Sequence, residues 1–72
     1  MKLPRGLTGD QITHALRRLG FQITRQVGSH VRLSKQERRV TVPLHRSVAP
    51  GTLQNILRQA GVSLEQFMDA LH

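Results

Sequence analysis

Residues 24–33, TRQVGSHVRL, carry the strongest local signal in this 72-residue chain. Gly28, Ser29 and His30 interrupt two stretches in which apolar and polar side chains alternate. Alternation with a period of two is typical of half-buried strands, and a glycine between two such stretches favours a hairpin. The segment therefore predicts two antiparallel strands, with a titratable imidazole beside the turn that joins them.

The neighbouring sequence predicts a helix before the hairpin and a third strand after it. Thr8 and Gln11 have the spacing of a capping box, and apolar residues then recur at helical spacing as far as Gly20. The first strand begins at Phe21. Apolar positions alternate again in residues 31–33 and, after a polar interruption, in residues 40–44, which predicts the second and third strands.

Two more helices are predicted in the last third of the chain. Residues 47–51 form a loop, after which Thr52 is the predicted cap of a helix that ends at Gly61. Ser63 and Gln66 repeat the capping-box spacing before a short final helix. The order α-β-β-β-α plus a short C-terminal helix predicts an α+β domain spanning residues 1–72. Its three-stranded antiparallel sheet has helices on one face, like the double-stranded-RNA-binding fold.

The strand pattern also predicts which residues share a face of the sheet. Val27 and Val31 are both expected to face the helices, which requires an odd number of connecting residues or a bulge at Gly28. Gly28, Ser29 and His30 are then predicted to form a strained lip between the strands, with His30 on the solvent side of the sheet. In the second hairpin, paired residue numbers sum to 73 or 75, placing His30 opposite Pro43 or opposite His45. Both registers bring the two histidines together on the open face.

A pair of histidines near arginines suits cleavage of RNA without a metal. Arg32 and Arg39 have the same outward parity as His30, whereas Arg25 has inward parity and must bend out at the edge or lie where no helix covers it. RNA cleavage needs a base for the ribose 2′-hydroxyl, an acid for the leaving oxygen and positive charge near the phosphate. Imidazole, with an unperturbed pKa of about 6.5, serves as either acid or base.

The composition favours an anionic partner. Eleven Lys and Arg against four Asp and Glu give a net charge of +7, and nine of the eleven are arginines, which suit phosphate. Two aromatic residues are too few for a base-stacking platform. No cysteine, no His-x-x-x-His pair and few acids disfavour a zinc enzyme, and no cofactor is expected. Without a visible signal or membrane segment, the expected location is cytoplasmic, with no membrane partner.

Four segments together resemble the HicA family of mRNA interferase toxins from toxin-antitoxin modules. They are GF at 20–21, R-x-x-G-S-H at 25–30, VTVPLH at 40–45 and PGTLQNILRQAGVS at 50–63. The likeness extends over about residues 8–63, and residues 64–72 lie beyond it. Four segments in consistent order are far more specific than an isolated Gly-Ser-His. Val27 is a departure, because many members have a basic residue before the glycine.

The resemblance implies a double-stranded-RNA-binding-like fold, a ribonuclease that cleaves mRNA, and a HicB-type antitoxin that covers its active surface. The family's catalytic histidine maps onto His30, with Gly28 and Ser29 as the turn that positions it. His45 is a second candidate for catalysis, inferred from strand register. The candidate RNA-binding residues are Arg25, Arg32, Lys35, Arg39 and Arg46.

Other functions also fit parts of the pattern. A non-catalytic RNA-binding module of the same fold needs only the charge and the open face. A DNA-binding module is a third possibility, because net charge does not distinguish the two nucleic acids. A membrane-surface peptide fits poorly, since the basic residues lie largely on strands. His14 and His72, on a helix flank and at the terminus, are given no role.

Overall fold

A computed structural model describes residues 2–72, and Met1 lies outside the described part of the chain. The fold is α+β, with three antiparallel strands in one open sheet and three helices in the order α-β-β-β-α-α. The elements are α1 (Gly9–Arg18), β1 (Gln22–Val27), β2 (His30–Lys35), β3 (Arg38–Pro43), α2 (Pro50–Ala60) and α3 (Leu64–Ala70). The predicted fold class and element order are confirmed.

The first and last helices begin at the predicted capping boxes. The Thr8 hydroxyl accepts a hydrogen bond from the Gln11 amide at 3.0 Å, while the Thr8 amide donates to the Gln11 side chain at 2.8 Å. Ser63 and Gln66 make the same reciprocal pair before α3. Such a pair satisfies two amides that have no partner within the helix.

The predicted start of α2 is wrong. The helix begins at Pro50, inside the predicted loop, and its N-cap is Ala49, whose side chain makes no capping hydrogen bond. Proline is favoured in the first turn because its φ is already helical and it lacks an amide hydrogen that would need a partner. Thr52 therefore lies within the helix. The end at Gly61 is as predicted, and its φ of 67° is a conformation that glycine adopts readily.

The sheet has the strand order β1-β2-β3, so β2 is the central strand. Residue numbers in the β2–β3 pair sum to 73, one of the two predicted registers, and His30 lies opposite Pro43. Four side chains on one face of this pair are buried beneath the helices, with α2 packing mainly against β3. They are Val31, Leu33, Val40 and Val42. Within residues 2–72, no helix lies over the opposite face.

The β1–β2 pair departs from the predicted arrangement. A two-residue turn pairs Val27 with His30, so Val27 lies on the open side and is 49% exposed instead of facing the helices. The irregularity lies further back, where Thr24 is an extra residue between the pairs made by Ile23 and Arg25. The prediction failed because no helix covers β1. All six of its residues are exposed, so burial does not select their faces.

The C-terminal helix is part of the hydrophobic core. Phe67 is fully buried, and α3 packs against α1. The Arg18 guanidinium donates to the carbonyl oxygen of Ala70 at 2.9 Å, near the end of α3. A cation at this end of a helix interacts favourably with its unpaired carbonyl groups. Residues 64–70 therefore add to the core and pack against α1.

Candidate active site and basic face

The two candidate catalytic histidines lie together at one end of the open face. His30 is the first residue of β2, not part of the turn, and His45 lies two residues beyond the end of β3. Their ring centroids are 6.4 Å apart with the ring planes 70° to one another. Both residues are exposed, which leaves their ring nitrogens accessible to a substrate. The juxtaposition expected from strand register is thus present in the structure.

The turn before His30 is compact and polar. Gly28 has a φ of 58°, in the left-handed region where a β-carbon is disfavoured. The carbonyl oxygen of Ser29 accepts a hydrogen bond from the Leu44 amide at 2.6 Å. This bond ties the turn to the chain that leaves β3. Gly28 and Ser29 therefore affect both histidines, since the same turn precedes His30 and anchors the residue before His45.

Gly9, which sequence reasoning missed, holds the other side of His45. Its amide donates to the His45 carbonyl oxygen at 2.9 Å. A β-carbon at Gly9 would overlap the Pro43 carbonyl oxygen and lie 2.6 Å from the Leu44 α-carbon, so only glycine allows this approach. The available signal was a residue of poor helix propensity directly after the Thr8 cap.

Three of the five predicted RNA-binding residues meet on the open face, beside the histidines. Arg25, Arg32 and Arg39 line a shallow cavity of about 450 Å³. Thr24, Ser34 and Thr41 add hydroxyl groups to its wall, and sequence reasoning missed these residues as well. The bulge at Thr24 explains the placement of Arg25. The extra residue reverses the parity of the strand, so Arg25 pairs with Arg32 and shares its face.

Lys35 and Arg46 lie elsewhere. The Lys35 ammonium donates to the Leu19 carbonyl oxygen at 2.7 Å, at the C-terminal end of α1, so it supports the helix layer. Its neighbour Arg38 acts similarly, donating to the Gln59 carbonyl oxygen near the end of α2 at 3.4 Å. Arg46 is exposed in the loop and directly follows His45. These basic residues thus form two groups. Lys35 and Arg38 bind carbonyl oxygens at helix ends, whereas Arg46 and the arginines of the cavity face solvent near the imidazoles.

The guanidinium groups of the cavity have no partner of opposite charge in its wall. No aspartate or glutamate lines it, and the side-chain hydrogen bonds within residues 2–72 include none donated by Arg25, Arg32 or Arg39. In the same part of the chain, no group of three or more His, Asp or Glu lies close enough to hold a metal ion. None of the helices described has the length and hydrophobicity of a membrane span.

Comparison with known proteins places this arrangement in a family. A search of curated proteins gave no significant match. A sequence model of the family described as HicA toxin of bacterial toxin-antitoxin matches residues 9–62. The matched region includes both histidines, Gly9 and the three arginines of the cavity, and it ends before α3. Because it covers well over half of the sequence, the chain belongs to the HicA toxin family and is the toxin component of a toxin-antitoxin system.

Proposed function

We propose that this toxin is an endoribonuclease that cleaves mRNA without a metal ion, using His30 and His45 as proton-transfer groups. The observation that carries the proposal is the exposed imidazole pair, with ring centroids 6.4 Å apart, beside three arginines on the open sheet face. The same face of the sheet thus has groups for both proton transfers and positive charge that attracts the phosphates of an RNA chain. The resemblance to a double-stranded-RNA-binding fold and the family's ribonuclease activity support the choice of RNA.

The reaction requires the ribose 2′-hydroxyl of the substrate. One neutral imidazole accepts the hydroxyl proton as the 2′-oxygen forms a bond to phosphorus. The bond from phosphorus to the 5′-oxygen breaks, and the other imidazole, protonated at the start, donates its proton to the leaving oxygen. The products are a 2′,3′-cyclic phosphate and a 5′-hydroxyl. The net positive charge of this face favours the negative charge that develops on the non-bridging oxygens.

A protein partner follows from the family, since membership implies a HicB-type antitoxin. We propose that the antitoxin covers the open face and buries His30. The unpaired arginines favour an acidic contact surface on that partner, because complementary potentials speed association and exclude other partners. Bound toxin should then be inactive on RNA. A stable complex that still cleaved RNA at the rate of free toxin would exclude this form of inhibition.

The test is cleavage of a labelled single-stranded RNA in the presence of a chelator. We expect His30→Ala to lower kcat/KM by about 100-fold or more, the usual contribution of a general acid or base. A smaller but clear loss is expected for His45→Ala. The wild-type rate should fall at both low and high pH, because one imidazole must be neutral and the other protonated. Product analysis should identify the cyclic phosphate.

His14→Ala is the matched control. His14 is also exposed, but it lies on α1, away from the imidazole pair and the arginine cavity. It should keep wild-type activity, and circular dichroism should show that all variants are folded. Full activity of folded His30→Ala would disprove the proposed mechanism. RNA binding without cleavage by the wild type would instead favour a non-catalytic RNA-binding module.

A further inference from the structure

We infer that the three-arginine cavity is a separate subsite for the phosphate next to the one that is cleaved, so that the toxin recognises single-stranded RNA through two successive phosphates. The inference rests on the proposed function and adds a ligand for the cavity. Arg25, Arg32 and Arg39 are its basic residues, and the hydroxyls of Thr24, Ser34 and Thr41 complete its wall.

The first support is unrelieved repulsion within the cavity. Arg25 and Arg32 are directly opposite one another in the β1–β2 pair. Like charges at such positions destabilise a sheet, and no acidic residue lines the cavity to offset them. Guanidinium groups bind phosphate oxygens through paired donors, so a phosphate would convert this repulsion into attraction. A bound phosphate would therefore offset the repulsion between the facing arginines.

The second support is the β-bulge. If β1 continued from Ile23 as a regular ladder, with Thr24 paired, Arg25 would turn to the covered side. The bulge places it opposite Arg32, and the Thr24 hydroxyl donates to the Arg32 carbonyl oxygen at 3.2 Å. Bulges commonly redirect a side chain near a functional site. Here the irregularity has one clear result, which is a third cation in the cavity.

The third support is spacing. His30 and Arg32 lie on the same face of β2, two residues apart, which corresponds to about 7 Å along a strand. Successive phosphorus atoms of RNA are joined by the same number of covalent bonds as α-carbons two residues apart, so the two repeats have similar lengths. A phosphate held at the imidazoles therefore leaves its neighbour above Arg32. Arg39 lies opposite Ser34 and lines the same cavity as Arg32.

Short substrates separate the two sites. A dinucleoside monophosphate contains only the phosphate to be cleaved, whereas the same molecule with an added 5′- or 3′-terminal phosphate also offers a neighbour. We expect one of the two additions to raise kcat/KM of the wild type by about tenfold or more, as charge-assisted hydrogen bonds do. In Arg25→Gln, the ratio of kcat/KM with the added phosphate to kcat/KM without it should fall towards one. Arg58→Gln, which removes an exposed arginine from α2, should keep the wild-type ratio.

Binding of uncleavable substrates makes the test independent of catalysis. The same compounds with a 2′-deoxy sugar at the cleavage position should show the same preference in dissociation constants, and phosphate-dependent NMR shifts should centre on the amides of Thr24 and Thr41. Equal binding with and without the added phosphate, at either end, would overturn the inference even if His30 is catalytic. A clear binding preference, together with no cleavage of the compounds that keep the 2′-hydroxyl, would support the subsite and reject the proposed ribonuclease.

Discussion

The two hairpins of the sheet differ in what holds them in register. In the β2–β3 pair the ladder is regular, and the buried side chains are covered by helices. In the β1–β2 pair the ladder contains a bulge, and every β1 residue is exposed. A slip of one residue in the covered pair would move core side chains into water, whereas β1 has almost no burial to lose. β1 can therefore contain a bulge that turns Arg25 to the open face without moving core side chains into water.

Single-residue deletions should show the difference most strongly. Removing Thr41 would make Val40 and Val42 consecutive, so they could no longer both face the helices, and each buried side chain is worth about 1.5–3 kcal/mol. This variant should be largely unfolded at room temperature. Removing Thr24 deletes the extra residue and leaves Ile23 and Arg25 with their present partners. Its unfolding free energy should change by only about 1 kcal/mol.

Urea unfolding followed by circular dichroism measures both deletions. Contacts between residues 25 and 32 in NMR spectra would confirm that the shortened β1 keeps its register. Equal stability of the two deletion variants would contradict the view that helix cover determines register in this sheet. Unfolding of the Thr24 deletion alone would mean that the bulge, and not the covered ladder, holds the sheet together.

A smaller contrast is expected between two residues that face each other. Ile23 and Leu33 are partners on the same side of the β1–β2 pair, but Ile23 is 45% exposed and Leu33 is 1% exposed. Leu33→Ala should lower the unfolding free energy by about 2–5 kcal/mol, because it leaves a cavity in the core. Ile23→Ala should cost less than about 1 kcal/mol. Denaturant titration gives both values, and comparable losses would show that β1 is better packed than its exposure indicates.

The smallest effect concerns the facing arginines. Arg25→Thr removes one of two like charges and introduces a residue that favours strands, so it should raise the unfolding free energy by up to about 1 kcal/mol at low salt. The gain should shrink as salt screens the repulsion. Thermal unfolding at two salt concentrations measures it, with Arg58→Thr on α2 as the exposed control. A loss of stability that does not depend on salt would mean that Arg25 packs instead of repelling.

The same contrast explains how much the sequence could reveal. Alternation in β2 and β3 restricts the partner of His30 to Pro43 or His45, because burial on one face allows few registers, and the structure has Pro43. The prediction that Val27 faces the helices is wrong, because an apolar side chain on a strand without helix cover does not indicate which face is buried. Alternation alone gives Arg25 inward parity, and the bulge that turns it to the open face has no signature in the sequence pattern.

Other errors have separate physical causes. Lys35 shares the parity of Val31 and Leu33, which could have placed it on the helix side, where it binds the Leu19 carbonyl oxygen. Gly9 could not be identified from periodicity, since its role depends on the approach of a distant backbone segment. Thr52 was chosen as a cap by residue type, although Pro50 begins the helix earlier. Local patterns identified the elements here, while contacts between distant segments required the fold.

The chain leaving β3 makes main-chain hydrogen bonds at residues 44 and 45. The Leu44 amide donates to Ser29, and the His45 carbonyl oxygen accepts from Gly9. Such bonds form whatever side chain stands at position 45, because every residue has a carbonyl group and only proline alters the backbone. Evolution can therefore exchange the functional group at this position without rebuilding its support. A single substitution at position 45 could therefore change or remove the chemistry of the side chain while the fold stays the same.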